Sequence, residues 1–360
     1  MKQLIIIILF IGISGKIYSQ DKYLSYLQEN DSSPIQYLEN VFEKKDLVVL
    51  CERMHPEMTQ YELIQEIISQ EWFINRVGNL ILEVSTRSIQ SELDDLLMSE
   101  NLDEEELQKR LIHICRNNSI HTLWSCTNFH TLVKYIYTLN QNLSSTKKVR
   151  LIGADIAFSW KNIKNRKDLR KFKKSKEFLD RDLYMGNFVI DWYKSNKNHK
   201  ALIVMNTRHS YKIMHSTASV IMKVFPEQTT NVFLNETTVN RQLIHGGKWD
   251  KAFKANNNKS IAFAFKGSPF GQDVFDHYPW TNWKALNIHY SDIFDHMIFY
   301  NPLEKMYVSN GVDGLITPDF EKELARRHKY RWFRKPKTYF QRKLRKSKYQ
   351  SIRVSYYKLR

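Results

Sequence analysis

The chain has 360 residues, of which 42% are hydrophobic and 13% aromatic. That composition excludes intrinsic disorder and leaves room for one large domain or two ordinary ones. The formal charge of +17 belongs mostly to residues 321–360, and three cysteines, Cys51, Cys115 and Cys126, are too few and too irregular for a disulfide framework or a zinc site.

In chain order, residues 1–20 read as an export signal: Lys2, an apolar run from Leu4 to Ile13, a break at Ser14-Gly15-Lys16, and cleavage after Ser19. The apolar run is too short to span a bilayer as a mature helix, and no cysteine follows for a lipid anchor. A periplasmic or secreted protein is expected. Asp21 to Lys45 is polar and helical in pattern. Leu47 to Leu50 is a buried strand that ends abruptly in Cys51, Glu52, Arg53, Met54 and His55, before a helix from Glu57 to Phe73. A second strand runs from Asn79 to Val84 with Glu83 at its end. Helices follow at Gln90–Met98, Asp103–Cys115 and Asn128–Asn142. The third strand, Lys148 to Ile156, carries Gly153 and Asp155. Lys161 to Lys176 is a strongly basic connector, expected as a solvated helix or lid. Phe178 to Tyr193 is an amphipathic helix. The fourth strand, Ala201 to Met205, runs into Asn206-Thr207-Arg208-His209, and Ser210 to Val224 reads as helix. Strands at Asn231–Asn235 and Ser260–Phe265 come next, then the turn-rich Gly267-Ser268-Pro269-Phe270-Gly271, and a last helical turn and strand over Asp292–Tyr300.

Alternation of strands and helices predicts an α/β fold: a central, mostly parallel sheet with helices on both faces and an active cleft at the carboxyl ends of the strands. No glycine-rich phosphate loop follows any strand, which disfavours nucleotide binding. The domain is expected over 21–318 and a basic, aromatic-rich tail over 319–360. Ala325 to Arg360 mixes Lys and Arg with Tyr, Trp and Phe and holds no acid. Such a segment suits an anionic membrane or lipopolysaccharide, and after export nucleic acid is not the expected partner. The structural alternative is a helix that packs its aromatics on the domain.

The strand ends deliver a constellation: Glu52 and His55 from the first, Glu83 from the second, Asp155 from the third, and Arg208 and His209 from the fourth. In a parallel sheet all face one edge. An imidazole held by a carboxylate is a general base near neutral pH, so His55 would deprotonate water, with Glu52 or Glu83 fixing its tautomer. His209 and Arg208 would stabilise the resulting oxyanion. No serine occupies a G-x-S-x-G elbow. Two His and two carboxylates are also ordinary ligands for zinc or manganese, but they come from distant strands and no metal set is assigned. Purely structural roles are a strand-end cap for His209, a helix cap for Asp155 and an ion pair with Arg87 for Glu83.

LVVLCERMH resembles the G-E-x-x-H signature of the erythromycin-esterase-like and ChaN-like superfamily, whose wider relatives include TraB/TIKI-type proteins. ILEV with Glu83, LIGADI as a G-x-D strand, and ALIVMNTRHSY are similar to its later motifs in the same order. The resemblance implies an exported hydrolase acting on an ester, lactone or amide, with His55 as base, Glu52 and Glu83 as orienting acids and His209 as second histidine. It also implies two alternatives: a non-catalytic envelope protein that binds haem or another iron-bearing ligand, with Tyr211 or His55 facing an open groove, and a TraB/TIKI-type hydrolase using a divalent metal. The signature glycine is Cys51 here, Pro56 replaces the small residue after the histidine, and no arginine precedes Arg76 in the following helix. A macrolide is therefore not the expected substrate.

Overall fold

The computed structural model describes residues 22–121, 123, 126–196, 199–278, 286–309, 311–331, 341 and 354–355. The expected export signal and most of the expected basic tail lie outside these residues. Among the described residues no helix is long and apolar enough to cross a membrane.

The chain opens with helices α1 (22–29) and α2 (Pro34–Lys44), strand β1 (Leu47–Glu52), helices α3 (Thr59–Ile68) and α4 (Glu71–Arg76), and β2 (Asn79–Thr86). Three helices, α5 (Gln90–Met98), α6 (Glu104–Asn117) and α7 (Cys126–Gln141), lead to β3 (Arg150–Asp155). Then come α8 (Arg166–Phe172), α9 (Lys176–Leu179), α10 (Arg181–Ser195), β4 (Ala201–Asn206), α11 (Thr217–Val224) and β5 (Thr229–Leu234). The remainder holds α12 (Lys248–Ala255), β6 (Ile261–Ala264), α13 (Tyr290–Ile293), β7 (His296–Phe299), β8 (Tyr307–Val308), α14 (Pro318–Arg331) and β9 (Val354–Ser355).

Strands β1 to β7 form one sheet in the order β3-β2-β4-β1-β5-β7-β6. β1 and β2 each pair in parallel with β4, β3 with β2, and β7 with β5, while β6 runs antiparallel to β7. The expected mostly parallel α/β sheet is present. The described chain falls into two compact units, one of residues 39–231 with those after 305, the other of residues before 39 with 232–305.

In the first unit, β1 and β2 are buried along their whole length. This is why they read as unbroken apolar runs and not as alternations: both faces are covered. On one face Val49, Ile81 and Ile203 pack with Val189 and Ile190 of α10 and Ala218 and Ile221 of α11. The alternate residues Val48, Leu50, Leu82 and Val204 are equally buried. Helix α7 docks on β3 through Asn140, whose Nδ2 donates to the Val149 carbonyl at 3.0 Å and whose Oδ1 accepts the Val149 N–H at 2.8 Å. Each such fully buried aliphatic side chain is worth about 1.5–3 kcal/mol of transfer free energy. The second unit is built on aromatic packing, with Trp249 against Tyr290 at 4.5 Å between ring centroids and Phe253 stacked on Phe299 at 4.0 Å.

Several local expectations change. The helix expected from Glu57 to Phe73 is two helices, broken where the Ser69 hydroxyl donates to the Glu66 carbonyl at 2.9 Å and competes with the backbone ladder. The helix expected from Ser210 begins only at Thr217, because Ser216 and Ser219 form a reciprocal capping box there. Helix α12 was not anticipated; it follows Gly246 and Gly247, both at positive φ, and buries Trp249, Ala252 and Phe253 at helical spacing. The Cys126 sulfur lies 3.9 Å from the Cys115 carbonyl oxygen, and burial pushes the Cys115 thiol well up.

Gly153 explains the G-x-D pattern of β3. A Cβ there would lie 2.7 Å from the Ser85 carbonyl oxygen, at the point where the β2–β3 register shifts between Leu82 and Thr86. The glycine lets the two strand ends close so that Asp155 reaches its partner. Gly153→Ala is expected to destabilise the protein by roughly 1–3 kcal/mol. Urea unfolding measures this, and an unchanged midpoint would count against the packing account.

Candidate active site

Glu52 is the last residue of β1 and pairs in register with Asn206 of β4. Its side chain is fully buried. Oε1 accepts the Tyr61 hydroxyl at 2.8 Å from the first turn of α3, and Oε2 lies 2.8 Å from Nδ1 of His55. The turn that brings His55 back over Glu52 is propped from behind. Arg53, also fully buried, does not join the site: its Nη1 donates to Glu57 Oε2 at 3.1 Å and to Thr59 Oγ1 at 2.8 Å. Glu57 in turn accepts the backbone N–H groups of Thr59 and Gln60 at 2.8 and 3.0 Å, capping α3. The Glu52–x–x–His55 spacing thus works because the residues between and after it anchor the loop.

Glu83 is buried in β2. Its Oε1 accepts from Arg181 Nη2 at 3.0 Å and lies 3.5 Å from His209 Nε2, while Oε2 accepts the Asn206 backbone N–H at 2.8 Å. Asp155 Oδ1 accepts from Arg181 Nε at 2.6 Å. The Asn206 side-chain amide donates to the carbonyls of Glu52 and Arg53 at 3.1 and 2.7 Å, tying the ends of β4 and β1 together. Thr207 then turns sharply with φ at 35°, a conformation costly for a β-branched residue and often found at working sites. This turn delivers His209, whose Nδ1 lies 2.6 Å from Asp182 Oδ1 and whose Nε2 lies 3.3 Å from Arg181 Nη1. With Nδ1–H directed at Asp182, Nε2 faces both Arg181 and Glu83. Asp182 is held by the backbone N–H and hydroxyl of Thr217 at 2.9 and 2.8 Å.

The expected residues therefore meet. His55, Glu83, Asp155, Arg208 and His209 line one cleft of about 630 Å³, with Glu52 directly behind His55. Arg208 stands apart: it is exposed at the rim and makes no hydrogen bond or ion pair among the described residues. Glu83 pairs with Arg181 and not with Arg87, which instead donates to the Asp155 carbonyl at 3.3 Å. Asp155 serves the same arginine and caps no helix. Phe158, Phe172 and Phe178 give the cleft an apolar wall. A wider groove of about 1180 Å³ along α6 and α7 lacks this convergence; its Lys134 pairs with Glu104 and its His130 meets Gln108 at 3.0 Å.

Arg181 and Asp182 were not anticipated. They sit in the first turn of α10, far from any strand end. One signal existed: a cation at a helix N-terminus opposes the helix dipole, so an arginine there implies a tertiary partner. Arg181 has two, and although burial weakens its charge, Asp155 and Glu83 more than offset this and raise its pKa. Burial likewise opposes ionisation of Glu83, but His209, Arg181 and His55 hold its carboxyl down to about 2. Burial would lower the His55 pKa; the adjoining Glu52 carboxylate outweighs it and the net direction is up.

The ligand atoms of Glu52, His55 and Glu83 lie within 4.8 Å of one another, close enough to reach a common metal ion. All four carboxylate oxygens already accept hydrogen bonds, and the Arg181 guanidinium occupies the charge position beside Glu83. These groups form a closed hydrogen-bonded network around the three ligand atoms. Tyr211, expected to face a groove as a haem ligand, is only 1% exposed.

No family model matches this chain, and no curated protein matches it in sequence. Its fold is similar to that of solved structures. A succinoglycan biosynthesis protein superposes with a TM-score of 0.53 at 9% identity, covering 78% of this chain and 97% of that one. A Bacillus cereus protein gives 0.48 at 10% identity over 78% and 97%. ChaN of Campylobacter jejuni, solved with cofacial haem, gives 0.36 at 12% identity over 56% and 86%.

Because the folded-state pKa of Glu83 lies below its unfolded value, its ionisation adds stability above about pH 4.5 that is lost as pH falls towards 2. Glu83→Gln should cost roughly 3 kcal/mol near neutral pH. The gap to the unsubstituted protein should close on acidification. Denaturant melts at several pH values measure it; a pH-independent gap would remove the ion-pair explanation.

Proposed function

We propose that the protein is an exported hydrolase of the erythromycin-esterase-like type, in which His55 activates water for attack on an ester, lactone or amide. The observation that carries this reading is the pair of imidazole–carboxylate contacts, His55 with Glu52 and His209 with Asp182, opening on one cleft around Arg181. The apolar run of residues 4–13 supports export, and the ordered likeness of the four strand-end motifs supports membership of the erythromycin-esterase-like and ChaN-like superfamily.

In this mechanism Glu52 accepts Nδ1–H of His55, and Nε2 takes the proton from water. The hydroxide oxygen bonds to the carbonyl carbon. Charge on the former carbonyl oxygen is met by Arg181: three of its five N–H groups are committed to Asp155, Glu83 and His209, and two remain. The imidazolium of His55 then returns its proton to the leaving oxygen or nitrogen as the carbon–heteroatom bond breaks. His209, held by Asp182, positions Arg181, and Arg208 at the rim contacts the substrate. No step needs a metal.

Turnover of a generic aryl or thioester substrate tests the assignment. His55→Ala should lower kcat by about 10²-fold or more with the fold intact; retained activity would sink the base assignment. The raised pKa of His55 means that the acid limb of the pH–rate profile should lie above the ordinary imidazole value of 6.5. Removing the carboxylate charge in Glu52→Gln should move that limb to lower pH, since the imidazolium loses its partner. A limb that does not move would assign it to another group.

The apolar wall of Phe158, Phe172 and Phe178 favours one competing reading, a ChaN-like protein that holds haem in this cleft through His55. A Soret band that appears on adding haem and is lost in His55→Ala, without turnover in any ester assay, would establish it instead.

A further inference from the structure

The basic connector that precedes α10 forms one wall of the cleft. Residues 161–176 contain nine Lys and Arg and a single acid, Asp168. Asp168 is spent internally: its carboxylate accepts the backbone N–H groups of Lys164 and Asn165 at 2.8 and 3.1 Å, completing the capping box of α8. The cations are not neutralised by it, and Lys164, Lys167, Arg170, Lys171, Lys174 and Lys176 are exposed. Even when Glu177 and Asp180 are added, nine bases face three acids over residues 161–180. Helix α14 extends this face, with Arg166 Nε donating to the Lys329 carbonyl at 3.2 Å and the Tyr330 hydroxyl to the Lys164 carbonyl at 2.8 Å.

Two apolar side chains are exposed at or next to the cleft mouth. Leu179, which lines the cleft, is 69% exposed, and Met214, next to the cleft-lining His215, is 55% exposed. Met214 holds φ at 68°, a conformation that costs energy for a side chain of its kind. Leu179 follows the basic connector and Met214 adjoins the same cleft through His215; together with the exposed cations they have the chemistry of a surface that inserts apolar tips between acyl chains while its cations meet headgroup phosphates. A nucleic acid or an acidic peptide would use the cations but has no use for Leu179 and Met214.

We infer that the α8–α9 face, with Leu179 and Met214, docks on an anionic phospholipid bilayer with the cleft mouth at the lipid surface. This places membrane recognition within the domain and not in the tail alone. It does not rest on the hydrolytic reading, since the test reads binding only.

The full chain is sedimented with vesicles of phosphatidylcholine, with and without phosphatidylglycerol. Binding is expected only to the anionic vesicles and should weaken with added salt. The charge-reversed variant Lys167→Glu/Arg170→Glu/Lys174→Glu should bind about tenfold or more weakly. Leu179→Ser/Met214→Ser should reduce binding in a manner insensitive to salt. With the unsubstituted protein, anionic vesicles should also slow tryptic cleavage within 161–176. The proposal is overturned if both vesicles bind equally, if the charge-reversed variant binds as well as the original, or if cleavage within 161–176 is unprotected on bound protein. It is also overturned if the Leu179/Met214 variant binds normally, which would indicate a polyanion surface.

Discussion

The site depends on one buried carboxylate. Glu83 accepts from a side chain of α10 and the backbone at the end of β4, and His55 and His209 lie around it. Taking an isolated carboxylate out of water costs far more than a domain can supply. Glu83 is tolerable in β2 only because Arg181, His209 and His55 share its charge, and Arg181 is tolerable at a helix N-terminus only because Glu83 and Asp155 receive it. Each charge makes the next affordable. The placement of α10, the turn at Thr207 and the loop through His55 are therefore linked electrostatically as well as by packing.

Much of this was legible in the sequence because strand polarity is a strong constraint. Once four apolar runs are assigned to a parallel sheet, Glu52, Glu83, Asp155 and His209 must arrive at one edge. What strand polarity does not carry is anything delivered by a helix. Arg181 and Asp182 lie where the chain reads as a basic connector passing into an amphipathic helix, and their role depends on the position of α10 over the sheet. Arg53 is the opposite case. It lies between two site residues, yet its guanidinium turns inward to Glu57, and only tertiary placement distinguishes a residue that lines a cleft from one that supports it. The breaks at Ser69 and Ser216 turned on side-chain bonds to the backbone, which compete with helical bonds at energies of about 1 kcal/mol, beyond the reach of apolar periodicity.

Cys51, where the resembling signature has glycine, is 1% exposed inside β1, with its sulfur 3.9 Å from the Thr207 carbonyl oxygen. It faces the backbone of the strained turn and is not a cleft nucleophile. The residue at the signature's glycine position thus packs under the turn that delivers His209, apart from the contact of Glu52 with His55.

The buried pair of Arg53 and Glu57 has an evolutionary consequence. It fixes the path of the loop without contributing an atom to the cleft, so the support of the loop and its chemistry are encoded by different residues. A substitution of His55 itself leaves that anchor, and so the course of the loop, in place. A lineage could then exchange one reaction, or one ligand, for another without first having to survive a misfolded intermediate.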